Sequence, residues 1–194
     1  MMMRSYRYLR IWKGEQEALN WLSQKIPVNA RNHAAMLIYG EKMNHILLWT
    51  LVEQPEAGPY PEVVWLFRAA AAKQSAGIMQ TYSDSLNAYY NKASHANHYH
   101  LMGRILMGLE PEQSAINLMG NAQVRCELAY FMAVLELSKG DIVRAHDWLR
   151  VSIETGLIQN KEYQLAFGML SNWRNSGMSL TRISKGEYSH GHPD

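Results

Sequence analysis

The sequence predicts an all-α protein in which helical hairpins stack on one another. Apolar residues recur at helical spacing along nearly the whole chain, and only Tyr6–Trp12 resembles the alternation of a strand. Residues 99–122 also superpose without a gap on residues 129–152. Because strands repeat every two residues and helices every 3.6, the first observation favours helices throughout. The second indicates that one helix pair is followed by another of similar design.

Composition excludes several classes of protein. With 194 residues, 47% hydrophobic and 19% charged, the chain can bury a sizeable core, which excludes disordered, collagen-like and disulfide-scaffold proteins. A net charge of +2 gives no strong nucleic-acid signal. No apolar run approaches the roughly 18–20 residues of a membrane span, and the first residues do not form a signal peptide. The single cysteine, Cys126, fits a reducing compartment, so we expect a cytoplasmic protein.

Breaks in the apolar pattern divide the chain into elements. Gly140-Asp141 is expected to end one helix and cap the next, and Gly156 to follow the end of another. Asn29 and Asn32 precede an apolar run and are the candidate capping residues of a third helix. The predicted helices span residues 4–12, 15–26, 31–39, 42–53, 62–76, 79–92, 96–108, 111–120, 123–138, 141–155, 160–175 and 179–184. We expect an N-terminal helical section over 1–60, a repeat section over 61–185 continuous with it, and a disordered tail over 186–194.

The internal repeat has a recognisable residue pattern. The first unit reads Tyr99-x₂-Met102-Gly103-x₂-Leu106, followed by Ala115-x₃-Met119-x₂-Ala122. The second unit reads Ala129-x₂-Met132-Ala133-x₂-Glu136, followed by Ala145-x₃-Leu149-x₂-Ser152. A half-unit after them reads Tyr163-x₂-Ala166-Phe167-x₂-Leu170. This pattern, over residues 97–171, resembles the tetratricopeptide repeat. It departs from that family in its shorter first spacing, 30 rather than about 34 residues, in the absence of a terminal proline, and in Glu136, which stands where an aromatic residue is usual.

The resemblance implies a short right-handed solenoid whose first helices line a concave groove. Small residues at Gly103, Ala115, Ala133 and Ala145 would allow the helices to approach closely. Phe131, Trp148 and Phe167 are expected to pack in the core or between repeats. The positions that the resemblance assigns to the groove are Asn97, His100, Arg104 and Met107 in the first unit and Glu127, Tyr130 and Val134 in the second.

These features favour a non-enzymatic cytoplasmic scaffold or adaptor that binds a protein or peptide. A homo-oligomer is the other partner that this interpretation allows. The chain lacks the motifs of common catalytic and cofactor sites, so no cofactor is expected. Arg104 and His100 could hold a carboxylate of the partner, Asn97 could hold its backbone, and Tyr130 with Met107 offers an apolar patch.

Two other interpretations remain open. His95, His98 and His100 could serve a metal-dependent all-α enzyme or a metal-binding protein, although His95 and His98 share a helix face that His100 does not. Separately, four basic residues stand three apart near the N-terminus, where they could contact RNA, an anionic membrane or an acidic partner, or form a solvated face. These residues are Arg4, Arg7, Arg10 and Lys13.

Overall fold

The computed structural model describes residues 2–40, 45–92 and 97–175. The described residues form eleven α-helices and no strand, which confirms the all-α prediction. The chain divides into two compact units, one ending at Arg68 and the other beginning at Ala69. The predicted helix at 179–184 and the predicted tail at 186–194 lie outside the described residues.

Unit 1 contains four helices and the start of a fifth. These helices are α1 (Met2–Lys13), α2 (Glu15–Lys25), α3 (Arg31–Gly40), α4 (Leu47–Thr50) and α5 (Pro61–Gln74), the last of which continues into unit 2. Helix α1 packs against α2, and α3 packs against α4. The largest side chains that are fully buried in this unit include Tyr6, Leu22, Ile38 and Leu48.

Helix α4 is shorter than the predicted span of 42–53. Leu47, Leu48, Leu51 and Val52 are buried. Ile46 is 44% exposed and Thr50 is exposed, so these two residues, four apart, lie on the open side of this short helix. The helix ends at Thr50, and Pro55 further along disfavours helical geometry at Gln54.

The proline-rich stretch is held by Asn32, which does not cap a helix as predicted. Asn32 lies inside α3 and is buried, and its Nδ2 donates hydrogen bonds to the carbonyls of Pro55 (2.7 Å) and Pro59 (2.9 Å). A Cβ at Gly58 would lie 2.8 Å from the Asn32 side chain. The amide therefore needs both the bend and the glycine in order to reach its two acceptors.

A buried arginine satisfies the carbonyls at the end of α4. Arg68 is 2% exposed; its Nε donates to the Leu48 carbonyl (2.9 Å), and its Nη2 donates to the Val52 carbonyl. Its guanidinium carbon lies 5.4 Å and 4.5 Å from the ring centroids of Trp49 and Trp65. These contacts allow a charged group to be buried, since helix-end carbonyls and aromatic faces both attract cations.

Unit 2 is built around one central helix. After α5 the chain forms α6 (Ala76–Tyr90), α7 (His98–Leu106), α8 (Gln113–Ile116), α9 (Ala122–Ser138), α10 (Ile142–Glu154) and α11 (Lys161–Asn175). Helix α9 packs against α7, α10 and α11, and α11 also packs against α10. Every residue from Cys126 to Glu136 is buried, including the charged residues Glu127 and Glu136.

The turn between α9 and α10 agrees with the sequence prediction. Gly140 adopts the left-handed conformation (φ 80°), and the Asp141 side chain caps α10 by accepting a hydrogen bond from the Arg144 N–H at 3.0 Å. Within the hairpin, the Ser152 hydroxyl donates to the Cys126 carbonyl at 2.9 Å. Gly156 follows the end of α10 at φ 69°, so its predicted position is also confirmed.

Helix α8 is shorter than the predicted span of 111–120, because a turn begins at Asn117. This turn leads to Asn121, whose side chain caps α9. Glu136, near α8, is a buried carboxylate with two cationic partners. Its carboxylate is fully buried and lies 3.0 Å from Lys139 Nζ and 3.5 Å from an Arg144 guanidinium nitrogen. Both cations also pair with Glu112 of the α8 segment. An ion-pair network thus compensates the buried charge of Glu136.

The small residues of the repeat signature lie in tight contacts. Ala115, Ala133 and Ala145 are fully buried. A Cβ at Gly103 would lie 2.1 Å from the ring of Tyr90, so α7 approaches the preceding helix α6 as closely as a glycine allows. The solenoid arrangement itself stays a prediction.

Candidate functional site

Four of the seven predicted groove residues are interior side chains. His100 and Glu127 are each 4% exposed, Tyr130 is 3% exposed, and Val134 is 1% exposed. The sequence placed the last three on an open stripe of α9, whereas α9 is covered on all sides. These four side chains therefore do not line an accessible groove in this structure.

The other three predicted groove residues make local contacts at the two ends of α7. The Asn97 side chain caps the helix by accepting a hydrogen bond from the His100 N–H at 2.8 Å. Arg104 donates to the Tyr90 carbonyl at 2.6 Å and pairs with Glu110 at 3.1 Å. Met107 follows the last turn of α7, and its side chain is partly exposed. Asn97 and Arg104 thus already have intramolecular roles that fix the ends of α7.

The predicted histidine cluster does not converge on one point. His95 lies outside the described residues. The His98 ring points toward α9, whereas the His100 ring is buried against Tyr89 and Tyr90, with centroid distances of 5.3 Å to each. Within residues 2–40, 45–92 and 97–175, no group of three or more His, Cys, Asp or Glu side chains could hold a metal ion.

His98 instead belongs to a polar cluster that joins α7, α9 and α11. We call this the Glu127 cluster; its members are His98, Tyr99, Gln123, Glu127 and Glu162. The Glu127 carboxylate accepts hydrogen bonds from His98 Nε2 at 2.5 Å, from Gln123 Nε2 at 3.1 Å and from Tyr99. Glu162, from the first turn of α11, is 7% exposed and close enough to interact with both Glu127 and His98.

The two carboxyl groups of this cluster have opposite pKa shifts. Burial by itself raises the pKa of Glu127, but hydrogen bonds from His98, Gln123 and Tyr99 outweigh burial and leave that pKa below its ordinary value. Glu127 is therefore ionised at neutral pH, and its charge is shared among three donors.

Glu162 has no comparable set of donors. Burial raises its pKa to about 7, and the negative charge of Glu127 adds to the shift. Its own backbone N–H and the nearby charges of Lys161 and His98 act in the opposite direction. A carboxyl group that exchanges its proton near neutral pH thus lies beside an imidazole–carboxylate pair, a combination of groups found in acid–base sites. Gln123 is exposed, and the His98 side chain is 22% exposed, so solvent reaches the cluster at these two members.

Sequence reasoning missed Glu162 altogether. An acidic residue in the first turn of a helix is ordinary, because it complements the helix dipole, so Glu162 carried no distinctive signal. His98 and Glu127 were both singled out, but for separate sites. Only the packing of α11 on α9 brings these three residues together.

A second candidate surface lies on α11. Phe167, which was predicted to pack in the core or between repeats, is 55% exposed. Its ring is parallel to that of Tyr163, with centroids 6.4 Å apart. Tyr163, Phe167 and Leu170 are spaced four and three residues apart and so share one helix face, which we call the α11 face. Phe131, by contrast, is fully buried as predicted.

Comparisons with known proteins give no match: no protein-family model, curated protein or solved structure is similar to this chain. Among the helices described here, none is both long enough and apolar enough to span a membrane.

Proposed function

We propose that the chain is a non-enzymatic cytoplasmic scaffold of the helical-repeat kind, which binds an amphipathic helix of a partner protein along the α11 face. The observation that carries this proposal is the exposure of Phe167 on a helix whose opposite side is packed. In a stack of helix pairs, each pair covers the apolar face of the pair before it. The α11 face has the apolar character of such a surface and offers it to a partner helix.

The packing of α9, α10 and α11 supports the repeat interpretation. The α9–α10 hairpin has a short turn, buried small residues at Ala133 and Ala145, and α11 packed back on both of its helices. The residue pattern that resembles tetratricopeptide repeats also predicts a helix pair over residues 123–155 followed by a further helix. We choose the α11 face over the predicted groove because a partner can reach Phe167 but cannot reach Tyr130 or Val134.

The Glu127 cluster fits a structural role within this proposal. Its charged members are paired or buried, and they connect three helices of unit 2. The competing metal-dependent function predicts stoichiometric zinc, iron or manganese in the purified, untagged chain, and this can be measured directly by elemental analysis. A stoichiometric metal would contradict the scaffold proposal.

Site-specific photo-crosslinking in the native cell tests the surface. A photoreactive phenylalanine analogue at Phe167 should give a discrete adduct with another protein. The same analogue at Arg150, whose side chain is 58% exposed on α10, should not. The variant Phe167→Glu should then lose the partner while retaining its circular dichroism spectrum. Equal crosslinking from both positions would contradict the proposal, and an adduct with a second copy of the chain would identify self-association instead.

A further inference from the structure

Helix α1 leaves three large apolar side chains in solvent. Tyr8 is 67% exposed, Ile11 is 84% exposed and Trp12 is 68% exposed. Because Ile11 follows Tyr8 by three residues and Trp12 follows Tyr8 by four, the three side chains lie on one side of the helix. Tyr6, by contrast, is fully buried. Helix α1 thus has one packed side and one exposed apolar side, which we call the α1 face.

The α1 face is bordered by positive charge. Helix α1 carries Arg4, Arg7, Arg10 and Lys13 and contains no acidic residue. Arg10 is exposed, and Lys13 Nζ lies 5.1 Å from the centroid of the Trp12 ring and 3.0 Å from Glu17 Oε1 at the start of α2. One nearby carboxylate therefore offsets one of the four positive charges in α1, and the helix keeps a net positive charge.

We propose that α1 is an interfacial helix that docks on an anionic lipid surface. Tryptophan and tyrosine favour the boundary between lipid headgroups and acyl chains, and an aliphatic side chain between them enters the apolar side of that boundary. Arginine and lysine beside such a face attract anionic headgroups. Docking would be peripheral, with the helix lying in the plane of the surface.

Single-stranded RNA is the main competing occupant of a basic and aromatic surface. Bases stack on aromatic rings, but the most exposed residue of the α1 face is Ile11, which offers no ring on which a base can stack. The combination of an exposed isoleucine with flanking tryptophan and tyrosine therefore favours lipid over RNA.

Vesicle flotation of the full chain tests this proposal. The chain should float with vesicles of phosphatidylcholine and phosphatidylserine, float much less with phosphatidylcholine alone, and bind more weakly as the salt concentration rises. Ile11→Glu should weaken vesicle binding by about tenfold or more, because burial of the isoleucine is lost and a like charge is added. Arg10→Gln should weaken it less.

The matched control is Ile158→Glu, since Ile158 is also well exposed (59%) but lies in unit 2. It should bind vesicles like the unchanged chain. If Ile11→Glu loses its helical circular dichroism, Trp12→Gln serves as the second variant and should show the same loss of binding. The proposal is overturned if the unchanged chain does not float, if both glutamate variants lose binding equally, or if the chain binds a single-stranded RNA oligonucleotide but not anionic vesicles.

Discussion

The buried carboxyl group of Glu162 should make the stability of the protein depend on pH in a defined direction. Its pKa is about 7 in the folded chain, against an ordinary value of 4.5. The folded state therefore binds this proton more tightly than the unfolded state does. The stability that this group contributes is fully present below pH 4.5 and is lost as the pH rises toward and through 7. Glu162→Gln, which keeps the shape of the protonated side chain, should remove this dependence.

The size of the effect follows from the two pKa values. One pKa unit corresponds to about 1.36 kcal/mol, so a shift from 4.5 to about 7 corresponds to about 3 kcal/mol. Glu162 is almost completely buried, so solvent does little to reduce this figure. Glu162→Gln should therefore match the unchanged chain near pH 4.5 and exceed its free energy of unfolding by about 3 kcal/mol above pH 7.

Urea unfolding, followed by circular dichroism from pH 4.5 to pH 8.5, measures this difference. The control is Glu154→Gln on α10, because the Glu154 side chain is 60% exposed and pairs only with the exposed Arg150 at 3.0 Å. Its difference from the unchanged chain should stay small and nearly constant. If Glu162→Gln also shows a constant difference, or is less stable at pH 8, then Glu162 is not buried in the neutral form and the Glu127 cluster is wrongly described.

Three further predictions concern packing and the C-terminal end. Gly103→Leu and Ala145→Leu should each lower the free energy of unfolding by about 1–3 kcal/mol through overpacking. The control Gly77→Ala, at an open helical position, should be neutral or stabilising. Equal melting temperatures for all three variants would contradict close packing at Gly103 and Ala145. Asn32→Ala should lower the free energy of unfolding by about 1–3 kcal/mol and expose the proline-rich bend to proteases, because the carbonyls of Pro55 and Pro59 lose their donor. An unchanged rate of proteolysis would argue against this role of Asn32. Removing residues 186–194 should leave the melting temperature unchanged, and a truncated chain that fails to fold would refute that expectation.

Helix positions could be predicted where a local signal marks both ends of a helix. The α9–α10 turn was predicted correctly from Gly140 and Asp141. Helix capping and the left-handed backbone conformation depend on residues that are close in sequence, so the sequence shows them directly. The prediction was wrong where an apolar run has no such signal, as around α4. It was also wrong for α8, where a turn at Asn117 ends the helix early.

The candidate site was less predictable, because burial and long-range contacts decide it. Helical spacing correctly grouped Glu127, Tyr130 and Val134 on one stripe of α9, but spacing cannot tell whether another element covers that stripe. Likewise, Phe167 fits a core position of the repeat signature and is nevertheless exposed. The approach of Glu162 to His98 depends on how α11 packs on α9, and no short sequence pattern encodes that.

The burial of α9 from Cys126 to Glu136 has a consequence for how the second unit opens. Amide hydrogens exchange with solvent only when their helix opens, and α9 can open only after its neighbours have moved away. We therefore expect the amides of α9 to exchange most slowly in unit 2, at a rate set by its global unfolding. Helix α11, whose outer face is uncovered, can detach while α9 and α10 stay paired. Unit 2 would thus come apart from its outer helix inward, so its fluctuations concentrate at the helix that we propose as the binding surface.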